Sequence, residues 1–297
     1  MNFTVASAQY PIGLLSSWTD YASKLEHWLS EAADNGAKLA VFPEYASMEL
    51  ASLDPATMGD LNASLTFVSS LLPKVDHLHA ALSARFGLHI LAASAPYRRG
   101  DGTPVNRARL FAPSGKVGDQ DKLIMTRFER EQWGVSAGGP LRLFETEIGQ
   151  IGVLICYDSE FPLLARALVE AGAQLLLVPS CTDSMQGYWR VRIASQARAL
   201  EGQCYVVQSP LVGEAPWSPA VDINRGAAGV FGPPDGDFSD NGIVELGQID
   251  AARWVFGKID IDRITALQAD GAVLNRRDWQ EQPGAVQLPQ VERRVLT

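Results

Sequence analysis

The amino-acid sequence predicts an α/β fold, and three observations carry that expectation. Leu39–Phe42, Leu88–Ala93, Gly149–Cys156 and Gln174–Val178 are largely apolar, as strands buried on both faces of a sheet are. Segments with apolar residues at helical spacing lie between them, so strand and helix alternate along the chain. Two of the apolar runs stop abruptly at a reactive side chain, Glu44 after Phe42-Pro43 and Cys156 after Leu154-Ile155. In a parallel sheet, residues just past the strand C-termini converge on one edge, where α/β proteins build their sites.

Taken in order, Phe3–Tyr10 reads as a first strand. Residues 19–35 read as a helix with Tyr21, Leu25, Trp28, Leu29 and Ala32 at helical spacing and Gly36 as its stop. After the strand at 39–42, residues 65–86 carry a second helical pattern, expected to break or begin at Pro73. Residues 88–93 form a strand, and 106–111 followed by Pro113-Ser114-Gly115 suggest a hairpin. The order then repeats. A strand at 149–156 leads to a helix at 162–171, with proline at its start where a missing N–H does no harm. A strand at 174–178, a helix at 187–201 ended by Gly202 and a strand at 204–209 follow. Residues 228–231 and 243–249 look like late antiparallel strands, and the chain is polar and irregular after Asp262. No linker interrupts this composition and no repeat has a fixed period, so one domain over 1–265 with a C-terminal arm or tail over 266–297 is expected.

The 297 residues are 46% hydrophobic and 20% charged, the composition of a globular protein. A net charge of -9 without a basic stripe argues against a nucleic-acid partner. No segment approaches the ~20 apolar residues that cross a bilayer. The start, MNFTVASAQYPIG, lacks the basic lead and apolar core of a secretory signal. No membrane partner and a cytoplasmic location are therefore expected. The three cysteines, Cys156, Cys181 and Cys204, form no CxxC and fit free thiols in a reducing compartment.

Cys156 is the first candidate for chemistry. A thiol attacks as thiolate, and a strand end beside a helix N-terminus stabilises that anion. The usual base, histidine, is not supported: His27 lies on a surface-type helix, His77 and His79 point to different faces of another, and His89 sits in a buried strand. No histidine has a surrounding motif, and no ligand pair has metal-site spacing. Glu44 occupies the same strand-end placement as Cys156, and a partly buried glutamate with a raised pKa can act as base toward a thiol. Lys122 heads the apolar triplet Leu123-Ile124-Met125 after a polar turn, and a fixed ammonium can stabilise an oxyanion. Residue by residue, each also has a plain reading: a packing cysteine, a helix-capping carboxylate and a surface lysine. Glu129 and Glu131 follow closely, either to bind the lysine or to be solvated.

Taken together, FPE at Glu44, DK and an apolar run at Lys122, and CYDxxFP at Cys156 resemble the carbon–nitrogen hydrolase (nitrilase) superfamily. The ASAQY strand, VPS at 178–180 and ARALEGQCYVVQ at 197–208 look like further landmarks, so the resemblance spans Phe3 to about Asp262. It implies a four-layer αββα sandwich, no cofactor, and a homodimer or higher homo-oligomer. It implies Glu44 as general base, Lys122 as oxyanion stabiliser and Cys156 as the nucleophile that forms a thioester. The backbone N–H of Tyr157 would share the oxyanion hole, and Glu129 would be the supporting second glutamate, with Glu131 in reserve.

Many members carry Arg where this chain has Glu160, and MTRFERE is also unusual. Both features look like the branch often fused to an N-acetyltransferase domain, for which 297 residues are expected to leave no room. The charge reversal suggests a cationic substrate if Glu160 faces the pocket, but pairing of Glu160 with Arg190 or Arg198 is the preferred expectation. Substrate choice is expected from loops 180–188 and 212–225, with Cys181 and Trp189 as candidate contacts. The leading expectation is an amidase acting on a small linear carboxamide. Acyl transfer and nitrile hydrolysis use the same triad. A non-catalytic metabolite-binding scaffold and a metal-dependent amidohydrolase are disfavoured, because the triad is intact and a ligand cluster is missing.

Overall fold

The computed structural model describes residues 1–287. Strand β1 (Asn2–Pro11) sets the layering, because its side chains alternate between two buried environments. Phe3 and Val5 join one hydrophobic core, whereas Ala6, Ala8 and Tyr10 join the other. Helix α1 (Trp18–Asp34) follows, started by Ser17, whose side chain accepts from Asp20 N, and buried through Tyr21, Leu25, Leu29 and Ala32. Next come β2 (Ala37–Val41), a 3-10 segment (Ala46–Leu53), α2 (Leu61–Phe86), β3 (His89–Arg98), and the hairpin of β4 (Pro104–Phe111) and β5 (Val117–Asp121). Helix α3 (Arg127–Glu131) leads to β6 (Leu143–Thr146), β7 (Gly149–Val153), α4 (Pro162–Glu170), β8 (Leu175–Ser180), α5 (Met185–Gly202) and β9 (Tyr205–Glu214). The last elements are β10 (Ile223–Asn224), β11 (Gly229–Phe231), β12 (Ile243–Leu246), β13 (Arg253–Asp260), α6 (Ile261–Asp270) and α7 (Asn275–Asp278).

Two sheets result. One runs β5-β4-β3-β2-β1-β13 and the other β6-β7-β8-β9-β11-β12. Among the described residues they touch edge to edge only where β1 and β9 end, pairing Tyr10 with Leu211 and Pro11 with Val212. Elsewhere they stack face to face. Ser7 Oγ donates to Gln208 O at 2.7 Å, and Ser209 Oγ lies 2.8 and 2.9 Å from the carbonyl oxygens of Ala8 and Val41. Helices α1 and α2 cover the outside of the first sheet, and α4 and α5 the outside of the second. This is the four-layer αββα arrangement that the resemblance implies. Among the described residues, no helix is long and apolar enough to cross a membrane.

Three expectations change. Helix α2 neither breaks nor begins at Pro73; it starts at Leu61, capped by Asp60, and runs through the proline. Its buried row of Leu65, Val68, Leu72, Val75, His79 and Leu82 continues across that point, so packing outweighs the lost hydrogen bond. The arm expected from residue 266 instead begins inside α6, whose Ile261, Ile264 and Leu267 are buried in the main core; of that stretch, residues 288–297 lie outside the described residues. Strand β13, absent from the sequence reading, pairs antiparallel with β1 from Asn2↔Asp260 to Gln9↔Arg253.

Candidate active site

Strands β1, β2, β3, β7, β8 and β9 run parallel within their sheets, so their C-terminal ends gather on one edge. Strand β5 joins them: it is antiparallel to β4, which is antiparallel to β3. Glu44, Lys122, Cys156 and Cys181 each lie within three residues of such an end.

Glu44 is fixed by its chain neighbours. Phe42 N donates to Leu91 O, Ser94 N donates to Pro43 O, and Tyr45 N donates to Ser94 Oγ at 3.0 Å. Tyr45 itself is left-handed, with φ +55°, which turns the chain sharply after the glutamate. Lys122 N donates to Asn106 O at 2.8 Å, tying the lysine to the start of β4. Cys156 opens a 3-10 turn (Cys156–Glu160) with φ +50°, a conformation that costs a non-glycine residue about 1–3 kcal/mol. Asp158 braces that turn. Its carboxylate accepts from Ile155 N at 3.3 Å and, across the site, from Leu123 N at 3.2 Å and Ile124 N at 2.8 Å. One buried side chain therefore joins the cysteine turn to the lysine segment.

The centre is a chain of charges. Lys122 Nζ donates to Glu44 Oε1 at 2.8 Å and to Glu129 Oε2 at 2.7 Å, with all three residues buried. Glu44 Oε1 also accepts from Asn106 Nδ2 at 2.9 Å, and its Oε2 accepts from Cys181 N at 3.0 Å. Glu129 further accepts from Thr126 N, Thr126 Oγ1 and Tyr45 Oη at 2.8–2.9 Å. Burial pushes the Glu44 carboxyl up to about 7, against the pull of Lys122 and with help from Glu129. Burial alone would lower Lys122, but Glu129 and Glu44 hold its ammonium well above the usual range. Burial likewise favours a protonated Glu129, but Lys122 and the surrounding donors outweigh it and hold the carboxyl low. The Cys156 thiol is pushed well up, by burial first and by the nearby Glu44 charge second. Its Sγ lies 3.8 Å from Cys181 O. At rest the arrangement therefore keeps a neutral thiol beside a carboxylate that titrates close to neutrality and an ammonium that stays charged.

Cys156 opens onto a cavity of about 340 Å³. Tyr157, Glu160, Cys181, Thr126–Phe128, Thr182, Asp183, Gly187 and residues 219–223 contribute to its wall, which brings both expected loops to the site. The Tyr157 N–H lies in the first turn of the 3-10 segment, where no intrahelical acceptor precedes it. Glu160 faces the cavity and has Arg190 Nε 3.4 Å from its Oε1, so its charge is answered within the wall. Arg198 instead donates to Ser159 O and pairs with Glu201. Glu131 is exposed and pairs with Arg127, which leaves Glu129 as the glutamate at the centre.

Trp189 corrects the sequence reading. It lies on the exposed side of α5 and is absent from the cavity wall, because the helix turns Gly187, Arg190 and Val191 toward the cavity instead. None of the four histidines lines the cavity, and burial lowers His79 to about 3. Among the described residues, no group of three or more His, Cys, Asp or Glu side chains is placed to hold a metal ion. Asn106, Asp158 and Tyr45 are site residues the sequence reading did not single out.

Comparisons with known proteins agree with this architecture. A family model described as carbon-nitrogen hydrolase matches residues 4–248. The probable hydrolase YhcX of Bacillus subtilis (strain 168) is 34% identical over 272 residues, covering 91% of this chain and 52% of that protein. The bifunctional nitrilase/nitrile hydratase NIT4A of Lupinus angustifolius is 30% identical over 198 residues, covering 63% of this chain and 55% of its own. The chain thus spans about half the length of the curated relatives it matches. Among solved structures, Saccharomyces cerevisiae Nit3, of the nitrilase superfamily, superposes with a TM-score of 0.71 at 19% identity, covering 90% of this chain and 93% of its own. The amidase from Nesterenkonia sp. AN1 gives 0.67 at 18% identity, covering 91% and 94%. The structural likenesses show a shared fold, and the family model, which matches most of the chain, shows more: this chain belongs to the carbon–nitrogen hydrolase family.

Proposed function

We propose that the enzyme hydrolyses a small linear carboxamide through a thioester on Cys156. The observation that carries this reading is a single ammonium, Lys122, bonded to both Glu44 and Glu129 beside a thiol at the foot of a cavity. Glu44 takes the Cys156 proton as the sulfur attacks the carbonyl carbon. Lys122 and the Tyr157 N–H stabilise the oxyanion. The C–N bond breaks, and the amine or ammonia leaves with the proton that Glu44 held. Water then attacks the thioester with Glu44 again as base, which releases the acid and restores the thiol. Glu129 keeps Lys122 in place.

The same triad serves nitriles or acyl acceptors other than water, and the likeness to a plant nitrilase makes nitrile hydrolysis the second reading. The amidase reading comes first because amide hydrolysis is the commonest activity of the superfamily that the sequence resembles. We further place the chain in the branch often fused to an N-acetyltransferase domain, on the CYDSEFP motif and on a relative about twice as long as the match. The three free thiols suit a reducing cytoplasm. A homodimer or larger assembly is supported by the exposed apolar row Trp189, Ile193 and Leu200 on α5, with Leu163 also exposed on the neighbouring α4.

The test is ammonia release from neutral, anionic and cationic amides by the wild type and Cys156→Ala side by side. Release by the wild type alone supports the proposal and ranks substrate charge. Equal release by both, or release from nitriles only, removes it.

A further inference from the structure

We propose that Asn106 is a positioning residue for the base: its side-chain amide holds Glu44 in place and favours its ionised form, while its peptide oxygen fixes Lys122 alongside. The inference rests on the reading of Glu44 as the base that serves Cys156. Asn106 is fully buried on β4 and absent from the cavity wall, so it acts through other residues. Its Nδ2 donates to Glu44 Oε1 at 2.9 Å, and its backbone oxygen accepts from Lys122 N at 2.8 Å. One residue thereby holds both the Glu44 carboxylate and the backbone that carries Lys122.

The other end of the amide strengthens the case. Oδ1 of Asn106 is buried and has no partner among the described residues. Buried acceptors are normally paired, and an amide can turn over to exchange its ends. Here turning over would face Oδ1 toward Glu44 Oε1, an oxygen that already accepts from Lys122 Nζ. Oxygen would meet oxygen, so the amide keeps its donor on the carboxylate and leaves its acceptor unpaired.

The groups facing Glu44 come from every side of the site. Lys122 follows β5, Glu129 lies on α3, Tyr45 is the next residue, Cys156 opens its 3-10 turn and Cys181 follows β8. Lys122 is the cation among them and Glu129 opposes it. Besides the Cys156 thiol whose proton it takes, the neutral donors on the carboxylate are Cys181 N–H and Asn106 Nδ2. The first belongs to the backbone, so Asn106 is the neutral donor that substitution can remove. A hydrogen bond to a carboxylate favours its charged form, and losing one moves proton binding to higher pH.

The experiment compares wild type, Asn106→Leu and Asn106→Asp. The readout is the pH dependence of Cys156 alkylation by iodoacetamide, followed on the Cys156 peptide by mass spectrometry. In Asn106→Leu the acid limb is expected to rise by about one pH unit, a tenfold loss of reactivity below it, with the high-pH plateau retained. Asn106→Asp, which adds a like charge, is expected to move the limb further. A folded Asn106→Leu with an unmoved limb overturns the proposal. If that variant does not fold, the nearly isosteric Asn106→Asp decides by the same criterion. Alkylation needs no amide turnover. A shifted limb in a protein that cleaves no amide would therefore sink the amidase reading and leave this one standing.

Discussion

Glu44 sits under opposing demands. Burial drives its carboxyl toward the protonated form, and Lys122, 2.8 Å away, draws it back, leaving it at about 7. A group that must accept the Cys156 proton works only when ionised. The account therefore predicts that kcat/KM falls as pH drops through about 7, approaching tenfold per unit below it. Glu44→Gln should remove that limb and cost about 10²–10⁴-fold in kcat. A limb that survives in Glu44→Gln would assign it to another group. Glu44 and Cys156 were legible in the sequence because each breaks an apolar run at its end. Asn106 was not, because an asparagine inside a hairpin strand gives no sign that its partner lies 62 residues away.

At the scale of elements, Asp158 matters most, because it joins the nucleophile turn to the segment after β5. Asp158→Ala would leave the N–H groups of Leu123, Ile124 and Ile155 without this acceptor. The expected result is a loss of roughly 1–3 kcal/mol in urea unfolding. A fall of about 10²-fold in kcat should accompany it as Lys122 and Cys156 lose their spacing. A variant that loses stability but keeps kcat would make Asp158 a structural brace alone. The outer face of α4 and α5 belongs to the same scale. Trp189, Ile193 and Leu200 recur at helical spacing and are all exposed. An Ile193→Glu variant should shift the protein to a smaller species in sedimentation, whereas a wild type that already sediments as a monomer would contradict the proposed assembly. From the sequence Trp189 was a candidate contact only, because an aromatic near a site loop is ambiguous until the helix phase is known.

For the whole molecule, two stacked sheets bring strand ends from distant parts of the chain to one edge. The strand–helix alternation was readable because runs such as 175–179 are buried on both faces and apolar throughout. Late elements were less readable. Strand β13 pairs with β1 across most of the chain length, and α6 spaces its buried Ile261, Ile264 and Leu267 among charged neighbours. Local pattern carries little of either, because long-range pairing and docking on a finished core select them. The core between the sheets should respond as a packed solid. Leu177→Ala, at a fully buried site on β8, is expected to cost about 2–5 kcal/mol in denaturant unfolding. A cost below ~1 kcal/mol would mean that the stacked sheets are not packed as described.

The central claim is the covalent step at Cys156. Its most direct test is mass spectrometry of enzyme acid-quenched during turnover of an amide that it cleaves. The account predicts an adduct on the Cys156 peptide with the mass of the amide less ammonia, absent from Cys156→Ala. Turnover with no adduct under conditions where hydrolysis of the intermediate limits the rate, or an adduct on Cys181, would contradict it.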